Sequence, residues 1–413
     1  MSTKDTEQPM SATPAHSATR RRSWMWLSVL LAAVLGVVLF VGTAGAILYN
    51  SLNHQAADSV LDTSHLRAQP QSAQSADEEP EQLTDSFAGR EVNILLMGID
   101  SRQDQDASII NPEDNDDTIR SDTTLMLNLS ADRQHVNIIS IPRDMWVYLP
   151  ECQRTDGSVS YAQWGQFNWA FSYGSLGSDL AGGVNCTEAL TEEITGITSD
   201  GFAVIDFTGF SRMIEALGGV DICLPDEIND PEYLALVLPA GCQRLDPNTA
   251  TQLARVRHTG DGSDMGRIQR QHLLLGAMVQ EAMGQNILTD TPKLYAFLST
   301  ALDALRLSPS LSNLRTDAGL ATSLTNTPPE NFRFLAMPVV TADFDANRLL
   351  PKEPQNAEFW QAIKDGTPLP AGTVYSDLNG NYFTIGENGE VIEGGNPRTD
   401  DEIGSLTYGD DGY

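Results

Sequence analysis

Short runs of apolar residues bounded by polar ones recur through residues 92–338 and predict β-strands. The runs lie at residues 92–97, 123–129, 136–141, 201–206, 220–224 and 332–338. Continuous apolar runs of this length are typical of strands that are covered on both faces.

Apolar residues recur at helical spacing between these runs. The pattern predicts helices over residues 168–174, 185–195, 207–217, 264–283, 292–305 and 308–323. Strands that alternate with helices indicate an α/β fold. We therefore expect a central mixed β-sheet flanked by helices.

A long uncharged segment, residues 24–49, precedes this region. A helix that crosses a bilayer needs about 20 apolar residues, so the segment is long enough to do so. Arginines at positions 20–22 stand before it, and acidic residues follow from Asp58. The positive-inside rule then places residues 1–23 in the cytoplasm and predicts a single-pass protein of the cell membrane whose bulk is extracytoplasmic. A cleaved signal peptide is the alternative, because small residues at positions 42–46 resemble a cleavage site.

The segments before and after the strand-rich region have compositions that predict less regular structure than in the region itself. Residues 50–90, rich in Gln, Ala, Ser, Asp, Glu and Pro, are typical of a disordered extracytoplasmic linker. We expect the main folded domain over residues 91–370. Residues 371–413 are acidic and rich in Gly and Asn, which predicts a loosely ordered tail with one hairpin at residues 382–393.

The formal net charge of the 413-residue chain is −31. This balance argues against a nucleic-acid partner, because nucleic-acid-binding surfaces are basic. It still allows a local pocket of positive charge.

The four cysteines lie in the central region, at Cys152, Cys186, Cys223 and Cys242. Their spacing is not that of a zinc site, and an extracytoplasmic location favours oxidation. Four cysteines allow three pairings. We expect Cys152–Cys186 and Cys223–Cys242, because each bond would close an excursion between predicted elements. Buried free thiols are the alternative.

Residues 254–271 concentrate arginines around one Gly-rich turn. If residues 253–257 are extended, Arg255 and Arg257 point to the same side. In the helix that follows, Asp264, Arg267 and Gln271 share one face, and Arg270 lies beside it. Arginine suits bidentate recognition of phosphate, and helix starts attract anions, so the stretch predicts an anion site. An exposed helix held by ion pairs is the alternative.

Charged residues also stand beside the ends of the first three predicted strands. They are Asp100, Arg102, Arg120, Asp122, Arg143 and Asp144. Ligands collect at strand ends in α/β sheets, and paired carboxylates beside arginines are typical of Mg2+ shared with phosphate oxygens. Asp144 has a second interpretation as a structural cap or ion-pair partner.

Leu274, Leu275 and Met278 continue the charged face of the 264–283 helix in apolar form. They predict either ordinary core packing or an apolar slot behind the charged mouth.

Other common sites are disfavoured. The chain has no Gly-x-x-x-x-Gly-Lys phosphate loop, which argues against an ATP enzyme. His258 and His272 lie near the arginines, but the sequence implies no serine or cysteine partner for either, so a Ser-His-Asp hydrolase is a poor hypothesis.

These motifs together resemble the LytR–CpsA–Psr family of bacterial membrane-anchored enzymes, and the cysteines resemble its actinobacterial branch. The motifs are Gly98-Ile99-Asp100-Ser101-Arg102, Arg120-Ser121-Asp122-Thr123, Ser140-Ile141-Pro142-Arg143-Asp144, Asn168-Trp169-Ala170-Phe171, Leu217-Gly218-Gly219-Val220, Arg255-Val256-Arg257 and residues 264–271. The resemblance covers roughly residues 92–283.

The resemblance implies an α/β/α core after one transmembrane helix. It implies transfer of a glycopolymer from a polyprenyl-diphosphate lipid to peptidoglycan or, in some relatives, to a surface protein. The metal, Mg2+ (or Mn2+), would be bound by Asp100 and Asp122. The diphosphate would be bound by Arg120, Arg143, Arg255, Arg257, Arg267 and Gln271. Catalysis would involve Asp122, Arg143, Arg255 and Arg257, supported by Asp264, Arg102 and Arg270. The lipid would occupy the apolar slot.

Two alternatives to this phosphotransferase stay open. One is a hydrolase that splits the lipid diphosphate with water. The other is a non-catalytic module that binds an anionic lipid or glycan. The general base is also open between Asp100, Asp122 and direct activation of the hydroxyl by the metal.

Overall fold

The computed structural model describes residues 47–66, 85, 87–100, 118–231, 236–256, 264–284, 291–324 and 327–394. The helices are α1 (residues 47–58), α2 (Trp169–Ser175), α3 (Leu180–Thr195), α4 (Phe207–Ala216), α5 (Pro247–Arg255), α6 (Asp264–Gly284), α7 (Thr291–Ala304), α8 (Leu314–Leu324) and α9 (Gln355–Asp365). Short 3-10 turns occur at Pro309–Leu311 and Pro329–Asn331.

The strands, in chain order, are β1 (Val92–Ile99), β2 (Ser121–Leu129), β3 (Val136–Ile141), β4 (Trp146–Leu149), β5 (Cys152–Gln153), β6 (Val159–Ser160), β7 (Gln163–Gln166), β8 (Gly201–Asp206), β9 (Val220–Leu224), β10 (Ile228–Asp230), β11 (Leu236–Leu238), β12 (Gly241–Leu245), β13 (Leu305–Leu307), β14 (Phe332–Ala336), β15 (Val339–Ala342), β16 (Asp345–Pro351), β17 (Val374–Ser376), β18 (Tyr382–Ile385) and β19 (Val391–Glu393).

Nine strands form the central sheet, in the order β13-β8-β1-β2-β3-β14-β17-β18-β19. The sheet is mixed, since β1 pairs with β8 and β3 with β14 in parallel, whereas β2 is antiparallel to both of its neighbours. The carboxyl ends of β1, β3 and β8 therefore lie at the same end of the sheet as the start of β2. We call this end of the sheet the charged end.

Alternate residues of the central strands enter two separate cores. In β1, Val92 and Ile94 pack on one face, while Leu95 and Met97 pack on the other. The first face is covered by α6 and α8, and the second by α2, α3 and α9. Helices thus lie on both faces of the sheet, which confirms the predicted mixed α/β sheet between helical layers and explains why β1, β3 and β8 are mostly apolar.

A smaller unit packs against α6 from the side. Strands β9 and β12 pair antiparallel, and their inward residues form an apolar core with α4, α5 and α6. Leu274 and Met278 are buried in this core, and Leu275 packs into the core between α6 and the sheet. Core packing is thus the correct interpretation of these three residues rather than an apolar slot.

Both predicted disulfides are confirmed. Cys152 in β5 is bonded to Cys186 in α3, and Cys223 is bonded to Cys242 directly across the β9–β12 pair. The described residues contain no further cysteine.

Part of the predicted linker is ordered. Residues 47–58 form helix α1, whose Ala56 is fully buried with Ala203, Leu302 and Leu307. Apolar burial therefore overrides the polar composition here. Residues 67–84, and residues 24–46 of the predicted membrane segment, lie outside the described residues. In the part of the chain that is described, no helix combines the length and apolar character needed to cross a membrane.

Three other predictions need correction. Residues 253–255 are helical rather than extended, because Asp246 caps a helix that starts with Pro247 and continues to Arg255. The predicted helix 308–323 is a 3-10 turn followed by α8, because Pro309 starts a separate short turn.

Strands β17–β19 extend the central sheet, so residues 374–393 are not part of a loose tail, although the hairpin within them is confirmed.

The contact between α2 and α3 is close enough to require glycine. A Cβ atom on Gly174 would collide with the carbonyl oxygen of Gly182 and with the sulfur of Cys186. We predict that Gly174→Ala lowers the free energy of unfolding by about 1–3 kcal/mol, the usual cost of overpacking. Gly284→Ala is the matched control, since a Cβ there meets nothing within 4 Å. Urea unfolding of the two variants measures the difference, and equal stabilities would contradict this account.

His272 of α6 is buried beneath the charged end. Its Nε2 lies 2.7 Å from Ser140 Oγ of β3, and its ring packs against Phe334. Burial lowers the pKa of His272 to about 3, so the folded protein holds this imidazole neutral. In the unfolded chain the same group has a pKa near its usual value of about 6.5 and gains a proton as the pH falls.

The contribution of neutral His272 to the free energy of unfolding is therefore fully present above pH 6.5. It is lost as the pH falls from 6.5 towards 3, because only the unfolded chain binds a proton there. We predict that His272 alone removes roughly 2–3 kcal/mol of unfolding free energy between pH 6.5 and 4.5. His272→Gln, which keeps a hydrogen-bonding partner for Ser140, should flatten the pH dependence by that amount. His54→Gln, at an exposed position, should not. If the free energy of unfolding depended on pH equally in His272→Gln and in the unaltered protein, the imidazole would not be the group that gains a proton on unfolding.

Candidate active site at the charged end of the sheet

The register of the sheet brings the predicted strand-end residues together. Ile99 at the end of β1 is opposite Ser121 of β2 and also opposite Asp206 of β8. Thr124 of β2 is opposite Ile141, the last residue of β3. Because the sheet aligns these ends, residues that are distant along the chain become neighbours.

Asp122 is the centre of the charged end. Its Oδ1 accepts a hydrogen bond from Arg143 Nη1 at 3.0 Å, and its Oδ2 lies 3.6 Å from Arg267 Nη2. The side chains of Asp122 and Arg267 are only 7% and 4% exposed, while Arg143 is 18% exposed. One carboxylate thus holds two guanidiniums.

Arg143 is also oriented from its other side. Its Nε donates to Asp144 Oδ2 at 3.2 Å, and Gln166 Nε2 donates to Asp144 Oδ1 at 2.8 Å. The ion-pair interpretation of Asp144 is therefore confirmed. Fixing a guanidinium through two carboxylates reduces the entropy it would lose when it binds an anion.

Helix α6 supplies the other half of the cluster. Arg267 and Gln271 are four residues apart and therefore share a face of the helix. Gln271 Nε2 donates to Thr123 Oγ1 at 2.8 Å, beside the Asp122–Arg267 ion pair. The predicted convergence of these two residues on the strand ends is what the structure shows.

Arg255 reaches this region from the last turn of α5. Its guanidinium lies 4.8 Å from the centre of the Phe207 ring, and Phe207 follows Asp206 at the carboxyl end of β8. Arg270 Nη2 donates to the carbonyl oxygen of Val256 at 3.0 Å and so fixes the end of α5. Arg270 thus supports the position of Arg255 from beside the predicted face.

The remaining predicted residues are placed as follows. The backbone NH of Asp100 donates to the carbonyl oxygen of Arg120 at 3.2 Å, so both lie at the charged end. Arg102 and Arg257 are outside the described residues, and Asp264 begins α6 although its side chain is not described.

The donor set fits the predicted metal. Mg2+ is usually bound through one or two carboxylates together with water and phosphate oxygens. Asp100 and Asp122 supply hard oxygen donors at one end of the sheet. Within the described ranges no group of three or more His, Cys, Asp or Glu side chains is arranged to hold a metal ion. A cation held here would therefore need oxygens from an anionic ligand as well.

The structure adds residues that the sequence analysis missed. Thr123, Gln166 and Phe207 contact the predicted residues, but only Thr123 stood within a motif. Ser140 is a serine partner for His272, which the sequence did not imply. This pair is buried in the core, so it packs α6 against β3 rather than forming a hydrolase triad.

Comparison with known proteins supports one family. A sequence profile of the LytR_cpsA_psr family matches residues 59–365. The cell wall biosynthesis protein LcpA of Corynebacterium glutamicum is 26% identical over 305 residues, which are 67% of this chain and 57% of LcpA. The probable cell wall biosynthesis protein LcpB of the same organism is 30% identical over 215 residues, 51% of this chain and 46% of LcpB. The match thus spans about half the length of these two relatives.

A third relative is matched over most of its length. The polyisoprenyl-teichoic acid–peptidoglycan teichoic acid transferase TagU of Oceanobacillus iheyensis is 26% identical over 310 residues, 74% of this chain and 85% of TagU.

Two solved structures share the fold. The crystal structure of Bacillus subtilis TagV superposes with a TM-score of 0.50 at 20% identity, over 67% of this chain and 97% of TagV. A protein from Streptococcus agalactiae gives 0.52 at 16% identity, over 67% and 87% of the two chains. At these identities the similarity establishes the shared fold alone. The profile match over most of the chain, together with the motifs that meet at the charged end, shows that this protein belongs to the LytR_cpsA_psr family.

Proposed function

We propose that this protein is a membrane-anchored phosphotransferase. It moves a glycopolymer from a polyprenyl-diphosphate lipid to an acceptor in the cell wall, which is peptidoglycan or a surface protein. The catalytic domain faces outward and residues 1–23 are cytoplasmic. The observation that carries the proposal is the cluster of arginines around Asp122 at the charged end.

The names of the relatives support the class of reaction. TagU of Oceanobacillus iheyensis and TagT of Bacillus subtilis are both named polyisoprenyl-teichoic acid–peptidoglycan teichoic acid transferases. A polyisoprenyl-linked donor requires recognition of a phosphate-bearing anion. The arginines at the charged end are the groups best suited to that recognition.

In the proposed step, an acceptor hydroxyl attacks the phosphorus that is bonded to the glycan. A new P–O bond forms to the acceptor, the P–O bond to the bridging oxygen breaks, and polyprenyl phosphate leaves with that oxygen. Phosphoryl transfer depends mainly on positioning and on neutralising the oxygens. Arg143 and Arg267 supply this positive charge, and Arg255, Arg120 and Gln271 orient the diphosphate.

The two aspartates have different roles in this proposal. Both oxygens of Asp122 face guanidiniums, so Asp122 positions Arg143 and Arg267, and each oxygen keeps a second lone pair for a cation. Asp100 is half-buried at the end of β1, and we assign to it the acceptance of the hydroxyl proton. Mg2+ held by Asp100 and Asp122 would neutralise charge on the phosphate oxygens when bound.

We predict that Arg143→Ala lowers the rate of polyprenyl phosphate release by about 10²–10³, the usual cost of removing one donor that stabilises transition-state charge. Arg306→Ala, at an exposed position on edge strand β13, is the matched control and should retain the rate. The assay follows release from a polyprenyl-diphosphate glycan by the full-length protein in detergent. Undiminished release by Arg143→Ala would exclude Arg143 from the reaction.

The metal is tested separately. Chelation with EDTA should abolish release, and Mg2+ or Mn2+ should restore it. Asp122→Asn keeps the shape of the side chain but removes its charge, so it should raise the metal concentration needed for half-maximal rate by about tenfold or more, as expected when a carboxylate ligand is lost. Full activity in EDTA would rule out the metal.

The acceptor distinguishes the remaining alternatives. Release that rises with added acceptor, with the glycan appearing on it, indicates transfer. Release into water alone indicates a hydrolase. Tight binding of the lipid without release under any condition indicates a binding module.

A further inference from the structure

The hairpin formed by β4 and β7 presents an exposed aromatic face. Trp146 is paired with Gln166 and Tyr148 with Trp164 across the two strands, so these four side chains share one face. Tyr148 and Trp164 are 48% and 59% exposed, and their rings meet edge to face at 5.7 Å. We call this set, together with Phe344, the aromatic platform.

Phe344 extends the platform from the turn between β15 and β16. Its ring lies 6.1 Å from that of Trp146 and is 63% exposed. Trp146 also meets Trp169, at the start of α2, at 5.9 Å. Rings from three separate parts of the chain thus meet around Trp146.

The exposure of these rings is not a requirement of folding. The opposite face of the hairpin carries Val147, Leu149 and Gly165, all buried. That inner face already attaches the hairpin to the core, and a Cβ on Gly165 would collide with Trp169 and Leu149. Monomeric proteins rarely expose contiguous apolar surface without a use for it.

The platform is connected to the charged end. Gln166, the polar member of its face, donates to Asp144, and Asp144 accepts from Arg143 in turn. Arg143 pairs with Asp122. Gln166 therefore lies two polar contacts from the arginine to which the reaction is assigned.

The chemistry of the face selects a neutral saccharide. Three of its outward positions on the hairpin are aromatic and the fourth is an amide, so these positions carry no charge and no aliphatic side chain. The negative face of an aromatic ring attracts the weakly positive C–H groups of a pyranose ring, and an amide suits its hydroxyls. Membrane-binding segments also use Trp and Phe, but they place Lys or Arg beside them, and these four positions carry neither.

We propose that the aromatic platform binds the glycan strand of the peptidoglycan acceptor, a chain of N-acetylated amino sugars, and presents its hydroxyl to the charged end. The choice of this occupant rests on the proposed function, whereas the binding of such a saccharide does not. Trp164 and Tyr148 are the central contacts, and Gln166 links the bound strand to Arg143.

The first test measures binding without catalysis. The full-length protein in detergent is titrated calorimetrically with a β-1,4-linked hexamer of N-acetylglucosamine. Trp164→Ala and Tyr148→Ala should each weaken binding by about tenfold, the value of one lost stacking contact. Tyr161→Ala, an exposed aromatic beyond the paired residues of β4 and β7, is the matched control and should bind normally. Circular dichroism melts confirm that each variant is folded.

Three outcomes would overturn the proposal. They are the absence of binding by the unaltered protein, equal affinity of Trp164→Ala and Tyr161→Ala, and binding of neutral phosphatidylcholine vesicles, instead of the hexamer, that is lost in Trp164→Ala. The last would identify a membrane contact.

A second measurement separates this proposal from the proposed function. In the transfer assay, Trp164→Ala should raise the KM for acceptor glycan by about tenfold and change kcat little, because the platform binds acceptor without touching the phosphate. A fall in kcat without a change in KM would contradict it. If the unaltered protein releases no polyprenyl phosphate but binds the hexamer through Trp164, the platform stands and the proposed function fails.

Discussion

The ion pairs of Asp122 with Arg143 and Arg267 are the interaction on which the charged end depends. Two buried or half-buried guanidiniums beside each other repel, and the carboxylate between them offsets that repulsion. Removing one partner of a buried pair typically costs about 3–5 kcal/mol, because the charge left behind is uncompensated. Arg143 is also paired with Asp144, so an anionic ligand that binds these arginines competes with both carboxylates.

The sheet makes this arrangement possible. Asp122 begins β2 while Arg143 follows β3, and only the antiparallel pairing of these strands brings them to one end. Arg267 comes from α6, which lies on one face of the sheet through Leu275 and Val279. The neutral, buried His272 fixes the same helix to β3 through Ser140. Packing in the core thus sets the positions of the charges outside it.

The hairpin β4–β7 extends this arrangement away from the arginines. Its inner face is core, its outer face is aromatic, and Gln166 connects it to Asp144. In the proposed reaction, anion recognition and saccharide recognition lie side by side. Each uses the chemistry suited to its part of the ligand, with guanidiniums for phosphate and aromatic rings for sugar.

Local spacing along the chain was enough to predict the central strands and the large helices, because the period of the apolar residues shows which face of a helix or strand is buried. It placed β3, β8 and β9 at their observed bounds and brought Arg267 and Gln271 onto one face of α6. It also identified Asp122 and Arg143 as strand-end residues. These features depend on residues that are close together in the chain, so they can be predicted from the sequence alone.

Tertiary packing decided which residues that are distant in sequence come into contact. The helix that carries Arg255 is an exception with a local cause, because the cap at Asp246 and the proline after it outweigh the extended pattern of the arginines. Leu274 and Met278 are core residues because a second small unit packs against α6. Phe207 and Gln166 contact charged residues far from them in the chain, and β17–β19 join the sheet despite a composition typical of loops. Such contacts follow from packing between residues far apart in the chain, and the spacing of residues in the sequence does not predict them.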